Sequence, residues 1–167
     1  VNGLLDADMA AQWVAPLAGA LRARGWRLAC AESCTGGLIA AACTALAGSS
    51  DWFERGFVTY SNAAKIEQLG VDAVLIAQHG AVSEPVVRAM ATGALAYSAA
   101  EIAIAVTGIA GPGGATPGKP IGMVWLAWAQ RGGTIQAECL QLAGDRAAVR
   151  NQSVAAALAR ALQLAQA

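Results

Sequence analysis

Trp26-Arg27-Leu28-Ala29-Cys30-Ala31-Glu32-Ser33-Cys34-Thr35-Gly36-Gly37 is the stretch on which the fold turns. Its first six residues are mostly apolar, as a short buried strand is. The last six are polar and end in two glycines, as a turn from strand into helix does. In open α/β sheets, ligands sit beyond the carboxyl ends of the strands. A helix that begins there turns unpaired N–H groups and the positive end of its dipole toward whatever binds. Ser33, Cys34 and Thr35 place hydroxyl and thiol groups at that position, and glycine lets the backbone approach a ligand closely. The same residues also suit a purely structural role, in which Ser33 or Thr35 caps the helix.

Outward from this turn, strands and helices alternate. Upstream, Met9, Trp13, Leu17, Ala20 and Leu21 recur at helical spacing, with Pro16 marking a kink or a restart and Gly25 the end. Downstream, a helix runs from the glycine pair through Ala47 to Gly48. A strand is expected at Gly56-Phe57-Val58-Thr59-Tyr60 and a helix over 62–69. Ser83-Glu84-Pro85-Val86 reads as a helix start, with Ser as N-cap and Pro in the first turn, the helix reaching about residue 99. Residues 101–107 are nearly all apolar and suit a strand buried on both faces. A loop rich in Gly and Pro covers 108–120. Residues 122–128 and 134–140 flank Arg131-Gly132-Gly133, a hairpin pattern. A last helix begins near Asp145 and buries Val154, Leu158, Ala161, Leu162 and Ala165. The expectation is a single three-layer α/β/α domain over 1–167, with a mixed sheet that ends in a β-hairpin.

Composition narrows the function. Eleven basic and eleven acidic residues balance, which speaks against a nucleic-acid binder with its usual basic excess. No apolar run approaches the roughly 18 residues of a membrane span, and no basic segment followed by an apolar one marks a secretory leader. Cys30, Cys34, Cys43 and Cys139 form no C-x-x-C pair. Reduced thiols in a cytoplasmic protein are expected, with neither a disulfide framework nor a metal site. Alanine-rich helices and five tryptophans leave room for a homodimer.

Three further features carry chemistry. Thr107-Gly108-Ile109-Ala110-Gly111-Pro112-Gly113-Gly114 follows a buried strand and is a candidate ligand cradle, or else an ordinary surface loop. Within it, Gly113 to Lys119 matches G-x-x-x-x-G-K, but Pro120 stands where a P-loop needs Ser or Thr, and a strand follows instead of a helix. Second, Lys65 falls about one turn into its helix and can face the same strand ends as Ser33. Burial would disfavour its charged form and make it a base. Tyr60, at the strand end, could pass a proton or orient an amide. A solvated lysine and a core tyrosine are the plain alternatives. Third, Arg146 in Gly144-Asp145-Arg146 could reach a phosphate as a planar fork or lie free on the surface. A Ser-His-Asp triad would need His79, the sole histidine, which is read as lying in a polar loop with Gly80. Cys34 is a rival nucleophile, because a helix N-terminus acidifies a thiol.

Taken in order, Ala31 to Gly37, Gly48-Ser49-Ser50, Gly56 to Asn62 with Lys65, Gly80 to Glu84, Thr107 to Gly114 and Gly144-Asp145-Arg146 resemble the CinA C-terminal domain family over nearly the whole chain. The resemblance implies hydrolysis of the carboxamide of nicotinamide mononucleotide (NMN) to nicotinic acid mononucleotide and ammonia, in pyridine nucleotide salvage and without a cofactor. It maps the nucleophile onto Ser33, the base onto Lys65 and an active-site tyrosine onto Tyr60. It matches Thr107, Gly108 and Gly111 to a ligand loop and Arg146 to an arginine near the phosphate. Glu32, Thr35, Gly36 and Gly37 are candidate substrate contacts at the turn itself, where N–H groups near Thr35 to Gly37 could hold an oxyanion. Full-length relatives carry an additional N-terminal pyrophosphatase-type domain, so the chain resembles a stand-alone form. A nucleotide-binding, competence-linked regulatory module with little catalysis is the alternative, and an amidase for another small amide is a third.

Overall fold

The computed structural model describes residues 9–167. One five-stranded sheet, in the order β2-β1-β3-β4-β5, carries every described strand: β1 (Leu28–Glu32), β2 (Phe53–Val58), β3 (Ile102–Gly108), β4 (Met123–Gln130) and β5 (Ile135–Gln141). β1 pairs in parallel with β2 and β3; β4 and β5 continue antiparallel as the hairpin expected around Arg131-Gly132-Gly133. The helices are α1 (Ala15–Arg24), α2 (Leu38–Thr44), α3 (Asn62–Leu69), α4 (Ala73–His79), α5 (Glu84–Ala96) and α6 (Arg146–Gln166). None is long and apolar enough to cross a membrane.

The sheet has two unlike faces. Side chains alternate along a strand, so Leu28, Cys30, Ile102, Ile104, Val106, Val124, Leu126 and Trp128 point one way, into a core shared with α1, α2 and α6. Fully burying each large aliphatic there stabilises the fold by about 1.5–3 kcal/mol. The Trp128 indole N–H donates to the Ala157 carbonyl at 2.9 Å and stitches β4 to α6. The opposite face shows Ala31, Ala103, Ala105, Ala127 and Ala129, and packs against α3, α4 and α5. Methyl-sized side chains let α5 sit close to the strands.

Several expectations are revised. Pro16 does mark a restart: Ala10–Val14 forms a π-helical turn, and the proline sits in the first turn of α1, where no N–H is needed. β1 begins two residues later than read and includes Glu32. β2 begins at Phe53 and ends at Val58, because as an edge strand it tolerates the charged pair Glu54-Arg55. α2 and α5 stop at Thr44 and Ala96, each about three residues short of the expected ends. Helix α4 was not foreseen, and His79 is its last residue rather than part of a loop. Ser83 holds the N-cap position of α5, yet its hydroxyl donates to the Gly80 carbonyl instead of capping.

Candidate active site

The turn after β1 is fixed from several sides. Ser33 N–H donates to the Val106 carbonyl at 3.0 Å, so pairing with β3 runs one residue past the strand. Gly36 N–H closes the turn on the Ser33 carbonyl at 3.1 Å. Gly36 (φ +59°) and Gly37 (φ +98°) are both left-handed, a backbone that side-chain-bearing residues disfavour. Because side chains alternate, Glu32 points to the α2 side of the sheet and Ser33 to the α3 side.

Glu32 is fully buried, and its carboxylate accepts from Thr35 Oγ1 (2.7 Å), Gly37 N (3.1 Å), Ile39 N (3.0 Å) and Ala40 N (2.9 Å). It satisfies the orphan N–H groups of α2 and complements the positive end of its dipole. The expected substrate contact at Glu32 therefore finds a scaffold carboxylate without an open face. The same bonds, with that of Gly36, occupy both glycine N–H groups proposed for the oxyanion. The amides of Cys34 and Thr35 are the other two in the turn.

Lys65 reaches the opposite side of the turn. Ser61 caps α3 through Ala64 N (3.0 Å), and Thr59 N–H donates to the Glu32 carbonyl at 2.8 Å, docking the helix start against the end of β1. From the first turn of α3, Lys65 Nζ lies 3.1 Å from Ser33 Oγ and donates to the Thr59 carbonyl at 2.8 Å. The lysine is 1% exposed. Burial lowers its pKa below the usual lysine value, with the nearby Cys34 pulling weakly the other way. An amine without its proton can use one N–H on the Thr59 carbonyl and turn its lone pair to the serine hydroxyl.

Beyond the strand ends lies a more open group. Tyr60 is 60% exposed, and its hydroxyl accepts from Arg146 Nη2 at 2.9 Å. Arg146 Nη1 donates to the Gly111 carbonyl at 2.9 Å. Arg146 thus ties the start of α6 to the end of β2 and to the glycine-rich loop. Thr107 is buried, its hydroxyl donating to the Ala81 carbonyl at 2.9 Å. At Gly108 any Cβ would meet the Met123 carbonyl oxygen at 2.9 Å, so that glycine serves close strand packing.

A sequence model of the CinA C-terminal domain matches residues 10–165. The chain belongs to the CinA C-terminal domain family. This CinA domain is 59% identical over 134 residues to a Pseudomonas putida protein named nicotinamide-nucleotide amidohydrolase PncC, covering 80% of the chain and 83% of the relative. A protein of the same name from Enterobacter agglomerans is 54% identical over 144 residues, 86% of the chain and 88% of the relative. The crystal structure of competence damage-inducible protein A from Klebsiella pneumoniae superposes with a TM-score of 0.87 at 47% identity, over 90% of the chain and 92% of that structure.

In this CinA domain two of the alternative readings, the Cys34 thiol and the P-loop-like string, meet contrary observations. Cys34 is buried, and burial pushes its thiol up to about 11, the Glu32 carboxylate adding to the rise and a bond to its own backbone, then Arg150 and Arg146, only partly opposing it. That outweighs the acidification expected at a helix N-terminus. Lys119, the lysine of the P-loop-like string, spends its amine on the His79 carbonyl, pinning the loop to the end of α4. Arg150, which the sequence analysis passed over, donates to the Thr35 carbonyl at 2.9 Å. Its signal was present: it lies four residues after Arg146, on the same helix face.

Proposed function

We propose that this chain hydrolyses the carboxamide of NMN to nicotinic acid mononucleotide and ammonia, feeding pyridine nucleotide salvage. The observation that carries the proposal is the buried Lys65 amine, 3.1 Å from Ser33 Oγ and with a carbonyl, not a carboxylate, as its other partner. The names of two relatives above half identity support the same substrate for this chain.

In the proposed reaction, Ser33 Oγ attacks the carboxamide carbon while its proton passes to Lys65 Nζ. The new C–O bond places a negative charge on the former carbonyl oxygen, for which the amides of Cys34 and Thr35 are the candidates, those of Gly36 and Gly37 being bonded elsewhere. Lys65 returns the proton to the departing nitrogen, the C–N bond breaks, and ammonia leaves. Water then attacks the acyl ester, giving its proton to Lys65. Collapse frees the carboxylate and restores the serine hydroxyl. Arg146 receives the phosphate as a planar fork. Tyr60, exposed and bound to Arg146, suits holding the substrate better than relaying the serine proton.

Incubation of purified protein with NMN should release ammonia, and Ser33→Ala should abolish the release. Unchanged turnover in that variant removes Ser33 as nucleophile. NMN binding by calorimetry with no product over hours would instead favour a regulatory nucleotide-binding module.

A further inference from the structure

We propose that Arg150 is a positioning residue for the nucleophile turn, holding the peptide units of Cys34 and Thr35 in the orientation the reaction needs. The inference rests on the amide-hydrolysis reading above. Five of the turn's restraints are local: Ser33 N–H to Val106, Gly36 N–H to Ser33, the Thr35 hydroxyl and Gly37 N–H to Glu32, and Leu38 N–H to the Thr35 carbonyl at 3.3 Å. A further one comes from 115 residues away in sequence, where Arg150 Nη2 donates to the same Thr35 carbonyl at 2.9 Å, the shorter of its two bonds.

That carbonyl belongs to the peptide unit whose N–H, on Gly36, closes the turn. Arg150 therefore grips one side of a unit that Ser33 grips on the other. With Leu38 N–H, Arg150 thereby restrains the unit against flipping, and through it the two amides that precede it. The guanidinium also lies against the turn itself: a Cβ on Gly36 would stand 3.7 Å from Arg150 Nη2. Its Nε is enclosed and, among the described residues, has no hydrogen-bond partner, a cost of burial that the bond to Thr35 helps to offset. One turn earlier on the same helix, Arg146 binds Gly111 and Tyr60. α6 thus addresses the site twice, with Arg146 at its open rim and Arg150 at the Thr35–Gly36 peptide.

The test compares Arg150→Gln and Arg150→Lys with wild type. With NMN, Arg150→Gln should lower kcat on the order of tenfold to a hundredfold, as small misplacements of reacting groups do, with KM within about threefold because Arg146 is untouched. Arg150→Lys, which can still donate to the Thr35 carbonyl, should recover most of the loss. Independently of any substrate, amide hydrogen exchange across 33–37 should speed up about tenfold or more in Arg150→Gln while β3 stays protected. Exchange and kcat both near wild type would overturn the proposal. So would a rise in KM alone, which would make Arg150 a substrate contact, or a folded Arg150→Lys as impaired as Arg150→Gln. If wild type leaves NMN intact, the hydrolysis reading fails and the exchange measurement alone decides the role of Arg150.

Discussion

Glu32 and Lys65 are both enclosed, and they sit on opposite sides of the same strand end. Their surroundings differ in kind. The carboxylate meets three backbone N–H groups and a hydroxyl at the head of α2, so its hydrogen-bonding capacity is filled. The amine has one carbonyl and one serine hydroxyl. A buried polar group whose partners are complete holds structure together. One whose ionised form is left under-supported is pushed toward neutrality and becomes reactive. On the proposed reading, the difference separates scaffold from chemistry across a single strand end.

The strongest way to break this contrast is to exchange the two roles by mutation. Lys65→Met keeps the volume and removes the base; turnover of NMN should fall roughly 10²–10⁴-fold. Stability should stay within about 1 kcal/mol, since losing the donor to Thr59 is offset by removing a buried amine. A variant retaining a tenth of wild-type turnover would dismiss Lys65 as base. Glu32→Ala should do the reverse at first measurement, costing about 3 kcal/mol in urea denaturation because several N–H groups lose their acceptor. A loss below about 1 kcal/mol would show that water replaces the carboxylate easily.

The pH dependence sharpens the same comparison. Because burial lowers the Lys65 pKa, kcat/KM should rise with pH to a midpoint below 10.5, and a midpoint at or above that value contradicts a buried neutral base. The sign for stability follows. Between the lowered folded pKa and the ordinary value, the unfolded chain binds more protons, so the Lys65 contribution to stability grows as pH rises. Lys65→Met should flatten that part of the stability profile. The smallest effect is expected at Cys34, whose thiol at about 11 stays protonated at neutral pH. Cys34→Ala should keep turnover within about threefold, and a hundredfold loss would reopen the thiol as nucleophile.

Much of this was legible in the residues. The hairpin at Arg131-Gly132-Gly133, the strand before Thr107 and the helix over 62–69 are local patterns, and each lies within a residue or two of its expected place. α4 was not legible because its apolar residues do not form a buried stripe: Ile76 is buried, whereas Val74 is 58% exposed. The start of β2 was hidden by Glu54 and Arg55, which only an edge strand accommodates. At the site, the sequence named Ser33, Lys65, Tyr60 and Arg146, and the fold brings them together in two neighbouring pairs. It could not tell that Glu32 faces α2 rather than a ligand. That depends on which side of β1 the next helix lands, a tertiary fact.

Gly93 carries a last consequence. On α5, any Cβ there would collide with the Leu69 carbonyl oxygen at the end of α3. The helix bearing Lys65 is thus shimmed from below by a residue with no side chain, itself resting on a floor of alanines. A methyl group added at Gly93 would therefore have to push α3, and Lys65 with it, and on the proposed reading would detune the base without touching Lys65 or Ser33.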